Sequence, residues 1–109
     1  MKKLEFKDGT KAYFTDDSTI YLCKIIFSKF SDIDDLAEAF TEENLNGGTF
    51  DGKLIEDIVP LNIRADRNKE KDNIAVCFYT RDKTKDELLQ KKLDEVDELL
   101  AKLKGQLNE

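Results

Sequence analysis

The chain has 109 residues, enough for one domain with a modest core, and 39% of them are charged. Lys and Arg number 18 against 24 Asp and Glu; the resulting net charge of −6 repels a phosphate backbone at long range and argues against nucleic acid as a partner. Histidine is absent, which removes Cys-His and Ser-His-Asp catalysis and most zinc sites.

Met1-Lys2-Lys3 looks like the start of an export signal, but Leu4-Glu5-Phe6-Lys7 alternates where an apolar run should follow. No segment approaches the roughly 18–20 apolar residues of a membrane span. The expectation is a chain made for an aqueous, cytoplasmic setting at synthesis, with no membrane partner. The same alternation predicts a half-buried strand, and Ala12-Tyr13-Phe14 resumes the extended pattern. Asp8-Gly9 between the two runs predicts a hairpin with a tight turn of primed type, which needs positive φ at both central positions. Asp16-Asp17-Ser18 makes the next turn.

Ile20 to Phe27 is interrupted only by Lys24 and predicts a central strand covered on both faces. Ser31 or Asp32 can then cap a helix, because a side-chain oxygen there accepts a free amide of the first turn. Ile33, Leu36, Ala37 and Phe40 share one face of it, and Asp32, Asp34 and Asp35 suit the positive end of its dipole. Asn46-Gly47-Gly48 ends the helix. A second Asp-Gly, at Asp51 and Gly52, predicts a second hairpin. Ile58, Val59, Leu61 and Ile63 form a further extended run, in which Pro60 lacks an amide donor and predicts an edge strand or a bulge. Arg64 to Asn73 reads as a polar connection. Asn73 to Thr80 is apolar on both faces, a second candidate for a central strand.

Thr84-Lys85-Asp86-Glu87 matches a capping box, with hydroxyl to the third amide and carboxylate back to the cap amide. From there to Leu107 the only interruption is Gly105, at which the last turn should fray, and the helix would be roughly 35 Å long. The fold class expected is α+β: a small antiparallel strand-rich body with one short helix over residues 1–83, then a long C-terminal helix over 84–109.

Candidate sites in the body are weak. The pairs Asp16-Asp17, Asp34-Asp35 and Glu42-Glu43 point their carboxylates apart, whereas acid–base catalysis needs them to converge. Asp32-Ile33-Asp34-Asp35 lacks the spacing and mid-loop glycine of a calcium loop. Gly47-Gly48 and the Asp-Gly turns match no phosphate-binding pattern and are explained by turn geometry. Arg64, Arg67, Lys69 and Lys71 are interleaved with Asp66, Glu70 and Asp72, as in a solvated connector. The aromatics Tyr13, Phe14, Tyr21, Phe27, Phe78 and Tyr79 read as core rather than base-stacking platforms. Cys23 and Cys77 sit in apolar runs and read as packed thiols; a disulfide between them is possible in geometry but finds no export signal to favour it. No catalytic, metal or cofactor site is expected.

The C-terminal helix differs. With Leu93, Leu100 and Leu107 at heptad position a, Leu89, Val96 and Leu103 fall at d, unbroken over about two and a half heptads. Such a narrow stripe fits a coiled coil between copies of the chain, dimer or trimer, with Leu88 and Leu89 near the body. The competing expectation is a monomeric cytoplasmic adapter or regulatory module whose helix covers its own sheet, since sheet-packed helices share this period.

The order of features carries a resemblance. "LEFKDGT" is followed by "FTEENLNGGTFDGKLIEDIVPLNI" and then by "NIAVCFYTRDKT" running directly into leucine heptads. The "TEENL" turn and the passage "YTRDKTKDELLQKKLDEV" carry it best. This arrangement resembles the small proteins of tail and baseplate gene modules of phages and prophages of Gram-positive bacteria. The resemblance implies a non-enzymatic virion structural or assembly protein that self-associates and docks to larger tail proteins. It transfers no catalytic motif and no site residue.

Overall fold

The computed structural model describes residues 1–107. It is α+β, with two antiparallel sheets, short helices between their strands and one long C-terminal helix. The first sheet comprises β1 (Lys2–Glu5), β2 (Lys11–Phe14), β4 (Thr49–Phe50) and β5 (Lys53–Leu54), in the order β2-β1-β4-β5. The second comprises β3 (Leu22–Phe27), β6 (Ile58–Asn68) and β7 (Asn73–Asp82), in the order β3-β7-β6. Between them lie α1 (Ser31–Ala39) and the single turn α2 (Glu42–Leu45), and α3 (Lys85–Leu107) closes the chain.

The two Asp-Gly hairpins form where the sequence puts them but close differently. At the second, Asp51 and Gly52 both take positive φ, +51° and +81°, as the primed turn between β4 and β5 requires. At the first, only Gly9 does (+92°). Phe6 N–H donates to Thr10 O (2.8 Å) and Gly9 N–H to Phe6 O (3.0 Å), a three-residue loop with its glycine in the left-handed region. Gly48 is needed for another reason: a Cβ there would lie 2.2 Å from the carbonyl oxygen of Glu5, where β1 meets β4.

Several expectations are corrected. β3 is an edge strand of its sheet, in which β7 is the central one. Cys23 is buried while Leu22 and Ile26 stand in solvent, so the continuous apolar run covers one buried face and one open one. Neither Ser31 nor Asp32 caps α1; Phe30 holds the cap position without a side-chain bond. The helix ends at Ala39, before the glycines, because Phe40 leaves helical geometry (φ −85°, ψ 59°). Thr41 then caps α2, its side chain accepting from Asn44 N–H. Arg64 to Asn68 are strand rather than connector, paired with Asn73 to Cys77, so only residues 69–72 turn. Backbone ladder bonds do not depend on side-chain polarity, and an open sheet face accepts charge. Asn68 Oδ1 accepts from the amides of Glu70 and Lys71, which fixes that turn. Pro60 lies in the edge strand β6 at a register shift between Pro60 and Ile63, as its missing donor predicted.

The core lies between the two sheets and α1. Phe40 stacks on Phe78 (ring centroids 4.6 Å), with Phe6 edge-on to Phe40 (5.6 Å) and Phe14 edge-on to Phe78 (6.1 Å). Leu4, Leu45 and Val76 fill the space around them with no exposed surface. The polar residues caught inside are bonded: Ser18 Oγ accepts from Lys24 N–H (3.0 Å), and Thr80 Oγ1 donates to Ile20 O (2.6 Å). Asn46 clamps the start of β6, donating to Ile58 O (2.8 Å) and accepting from Ile58 N–H (2.9 Å).

The molecule is elongated, 67 × 27 × 23 Å, with a radius of gyration of 17.9 Å. A compact chain of this length would have about 13 Å. The excess comes from α3, which leaves the body and extends about 34 Å.

Candidate association surface

Thr84 starts α3 as a capping box. Its N–H donates to Glu87 Oε1 (3.0 Å), and Glu87 N–H donates to Thr84 Oγ1 (3.2 Å). Arg81, at the end of β7, grips the same carboxylate with both terminal nitrogens, at 2.5 and 3.2 Å. That guanidinium, aided by the Thr84 amide, holds the Glu87 carboxyl down at about 2. The exit from β7 into α3 thereby carries a cap and an ion pair, with Leu88 half-buried beside them.

Two further ion pairs set the direction of the helix. Lys91 Nζ lies 2.8 Å from Asp57 Oδ1, so each group shifts the other: the lysine up, the carboxyl down. Asp57 has φ +57°, and its carbonyl accepts from Lys83 N–H (2.8 Å). Lys83 Nζ in turn reaches Glu42 Oε1 (3.2 Å). A shallow groove between body and helix is lined by Glu42 and Lys83 on one side and by Glu87, Lys91, Asp94 and Glu98 on the other.

These contacts choose a face of α3. At about 100° per residue, Glu87, Lys91, Asp94 and Glu98 lie roughly half a turn away from the seam of Leu89, Leu93, Val96, Leu100 and Leu103. At the helix base the body therefore touches the charged side, through Glu87 and Lys91, and the seam lies on the side away from it. Those five seam residues are 49–57% exposed, the remainder of each being covered by the helix's own turns. Leu99, beside the seam, is 59% exposed. Every residue from Leu89 to Gln106 is exposed, so along that length the helix covers neither sheet. Leu88 is half-buried at the base, whereas Leu89 is open. The backbone of Leu107 continues the helix through Gly105; its side chain lies outside the described residues.

A second opening lies on the body. β2 and β3 are edge strands of their sheets, tied at one end by Thr15 N–H to Lys24 O (2.9 Å). Beyond that bond a groove of about 360 Å³ runs between them and α1, floored by Ala12, Ile25, Phe27 and Leu36 with exposed Asp32 and Asp35 at its rim.

The remaining sequence candidates disperse. Asp16, Asp17, Asp34, Asp35, Glu42 and Glu43 are all exposed. Among the described residues no group of three or more His, Cys, Asp or Glu side chains could hold a metal ion, and no helix is long and apolar enough to cross a membrane. Both cysteines are free. Cys23 faces the core, where burial pushes its thiol up to about 12, while the half-buried Cys77 pairs with Lys24 on the opposite face of the same sheet. Of the aromatics, Phe14 and Phe78 are core, but Tyr13 and Tyr21 are exposed. Sequence reasoning found the capping box and the seam but missed Arg81, Asp57 and Lys91. The Asp57–Lys91 contact joins residues 34 positions apart and has no local signature.

Comparison with protein-family models, with curated proteins and with solved structures finds no match.

Proposed function

We propose that this is a non-enzymatic structural or assembly protein of a phage or prophage, acting by self-association through α3 and by docking to larger tail proteins. The observation that carries this reading is the exposed seam of α3, aimed away from the body by the ion pairs at its base. Fully burying a leucine or valine is worth about 1.5–3 kcal/mol. Each seam residue is about half exposed, so pairing gains roughly half of that from each, before ordering costs. The leucine heptads following directly on a strand, in the order that resembles tail and baseplate module proteins, support the virion setting. The exposure of α3 from Leu89 to Gln106 supports this reading over one in which the helix covers its own sheet.

Light scattering on the full chain tests the proposal. A dimer or trimer is expected at high micromolar concentration, and a monomer there would sink it. Replacing Leu93 and Leu100 together with asparagine should give a monomer whose body melts as before.

A further inference from the structure

Self-association leaves the direction of the partner helix open, and the flanks of the seam decide it. With Leu93 at a, the e positions are Gln90, Asp97 and Lys104 and the g positions are Lys85, Lys92, Leu99 and Gln106. In a parallel pair each g residue meets the e residue five positions later on the other helix. That sets Lys92 against Asp97 on both flanks, and lays Leu99 along the methylene chain of Lys104. In an antiparallel pair the same seam also interlocks, Leu93 with Leu103 and Val96 with Leu100, but e then meets e. The two Asp97 carboxylates come to one level, a like-charge contact beside a dry seam.

Asp97 has no compensation of its own. Positions three and four residues away on its helix are Leu93, Asp94, Leu100 and Ala101, none of them basic. Neither Lys92 nor Asp97 enters an ion pair among the described residues. Both are exposed, and they flank the seam on opposite sides, as complementary e and g residues must. The bodies present no obstacle to a parallel pair. Each touches its own helix at the base, through Glu87 and Lys91 on the side away from the seam, so two seams meet with the bodies outside.

From these observations, and resting on the self-association reading above, we infer that α3 docks against α3 of a second copy in parallel and in register, with Lys92 of each chain paired to Asp97 of the other. All the bodies then sit at one end of the assembly and all the C-termini at the other. Such a particle presents its bodies side by side to whatever it docks on, which an antiparallel pair would not do.

Cysteine cross-linking reads the direction. Leu89→Cys and Leu103→Cys are made singly, treated with diamide and run on non-reducing gels, with the unaltered chain as control for Cys23 and Cys77. Parallel, in-register pairing brings each new thiol to its own counterpart, so both variants should form covalent dimers beyond the control. Failure of both, with the Leu93→Cys/Leu103→Cys double variant cross-linking instead, overturns the inference in favour of antiparallel pairing. The charge is read separately: Asp97→Asn should weaken association roughly two- to tenfold, more at low salt than at high. Tighter association of that variant would also overturn the inference. Light scattering on the unaltered chain separates the two levels, since a monomer there defeats self-association itself, whereas an oligomer without either single cross-link defeats only the parallel register. Every substitution lies on an exposed stretch of α3, so the body remains folded in each.

Discussion

Phe78 on β7 gives up all of its surface to Phe14, Phe40 and the sheet around them, whereas Leu93, on the helix that follows β7, keeps half of its own in water. Both side chains are strongly apolar, and they differ in what the chain brings opposite them. β7 is the central strand of its sheet, so elements far apart in sequence converge on its inner face. α3 departs from the end of that strand and is turned by Arg81–Glu87 and Asp57–Lys91 so that its polar side meets the body. The body closes its inner sheet faces within the chain, while scattered side chains such as Leu22, Ile26, Leu54 and Leu61 stay exposed on it; α3 instead carries a continuous apolar stripe in water. An apolar stripe kept in water at this regularity is what the proposed self-association rests on.

The contrast can be pressed hardest in the core. Phe78→Ala should cost about 3–5 kcal/mol of body stability, read as a lower urea midpoint. Leu93→Ala should leave the unfolding of the monomeric body unchanged within about 0.5 kcal/mol. A comparable loss from both would mean that α3 packs on the body after all. Next in size is Gly48→Ala, which drives a methyl into the Glu5 carbonyl and should cost about 2–3 kcal/mol by loosening β4 from β1. Its effect belongs to the body alone; association through α3 should be unaltered wherever the body remains folded.

At the junction the expected effects are smaller. Thr84→Ala removes the cap and should cost about 1 kcal/mol, seen as reduced helicity with little change in the body's melting. Acid acts on the same place. Glu87 sits at about 2 in the folded protein against an ordinary 4.5, so the unfolded chain takes the proton first. Its contribution is complete above about 4.5 and is lost as the pH falls toward about 2. Asp57 is shifted in the same direction by Lys91. Hydrogen exchange should therefore show the first turn of α3 opening through that range before the core strands do, and Glu87→Gln should reduce the pH dependence of that opening to what the Asp57–Lys91 pair contributes. A first turn that holds as firmly as β7 down to pH 2 would place the anchoring of α3 elsewhere.

Much of this was legible in the sequence wherever the cause is local. Asp51-Gly52 fixes its own turn, Thr84 and Glu87 fix their own cap, Pro60 marks its own break in the ladder, and the leucines of α3 declare a helix and its stripe. The errors arose where the cause is distant. The run Ile20 to Phe27 could not reveal that β3 would lie at an edge, because burial on two faces depends on what lies beside the strand. Arg64 to Asn68 looked like connector because charge was read as absence of strand, although β7 supplies the ladder for them. Leu89, Leu93, Val96, Leu100 and Leu103 lie along one face of α3, but nothing within that stripe says which way it faces.

Sequence by itself determined the inventory: strands and turns set by side-chain period and positive-φ residues, a capped helix with a two-sided character, and no histidine for the commonest catalytic chemistries. Only the tertiary structure decided orientation. A helix's periodicity defines an apolar face relative to its own axis, and rotation about that axis is free until something outside it binds one side. Here Asp57, 34 residues before Lys91, and Arg81 do so through charge on the face opposite the leucines. The body holds α3 only near its base, through Glu87 and Lys91, and from Leu89 to Gln106 both the charged face and the seam stand in water.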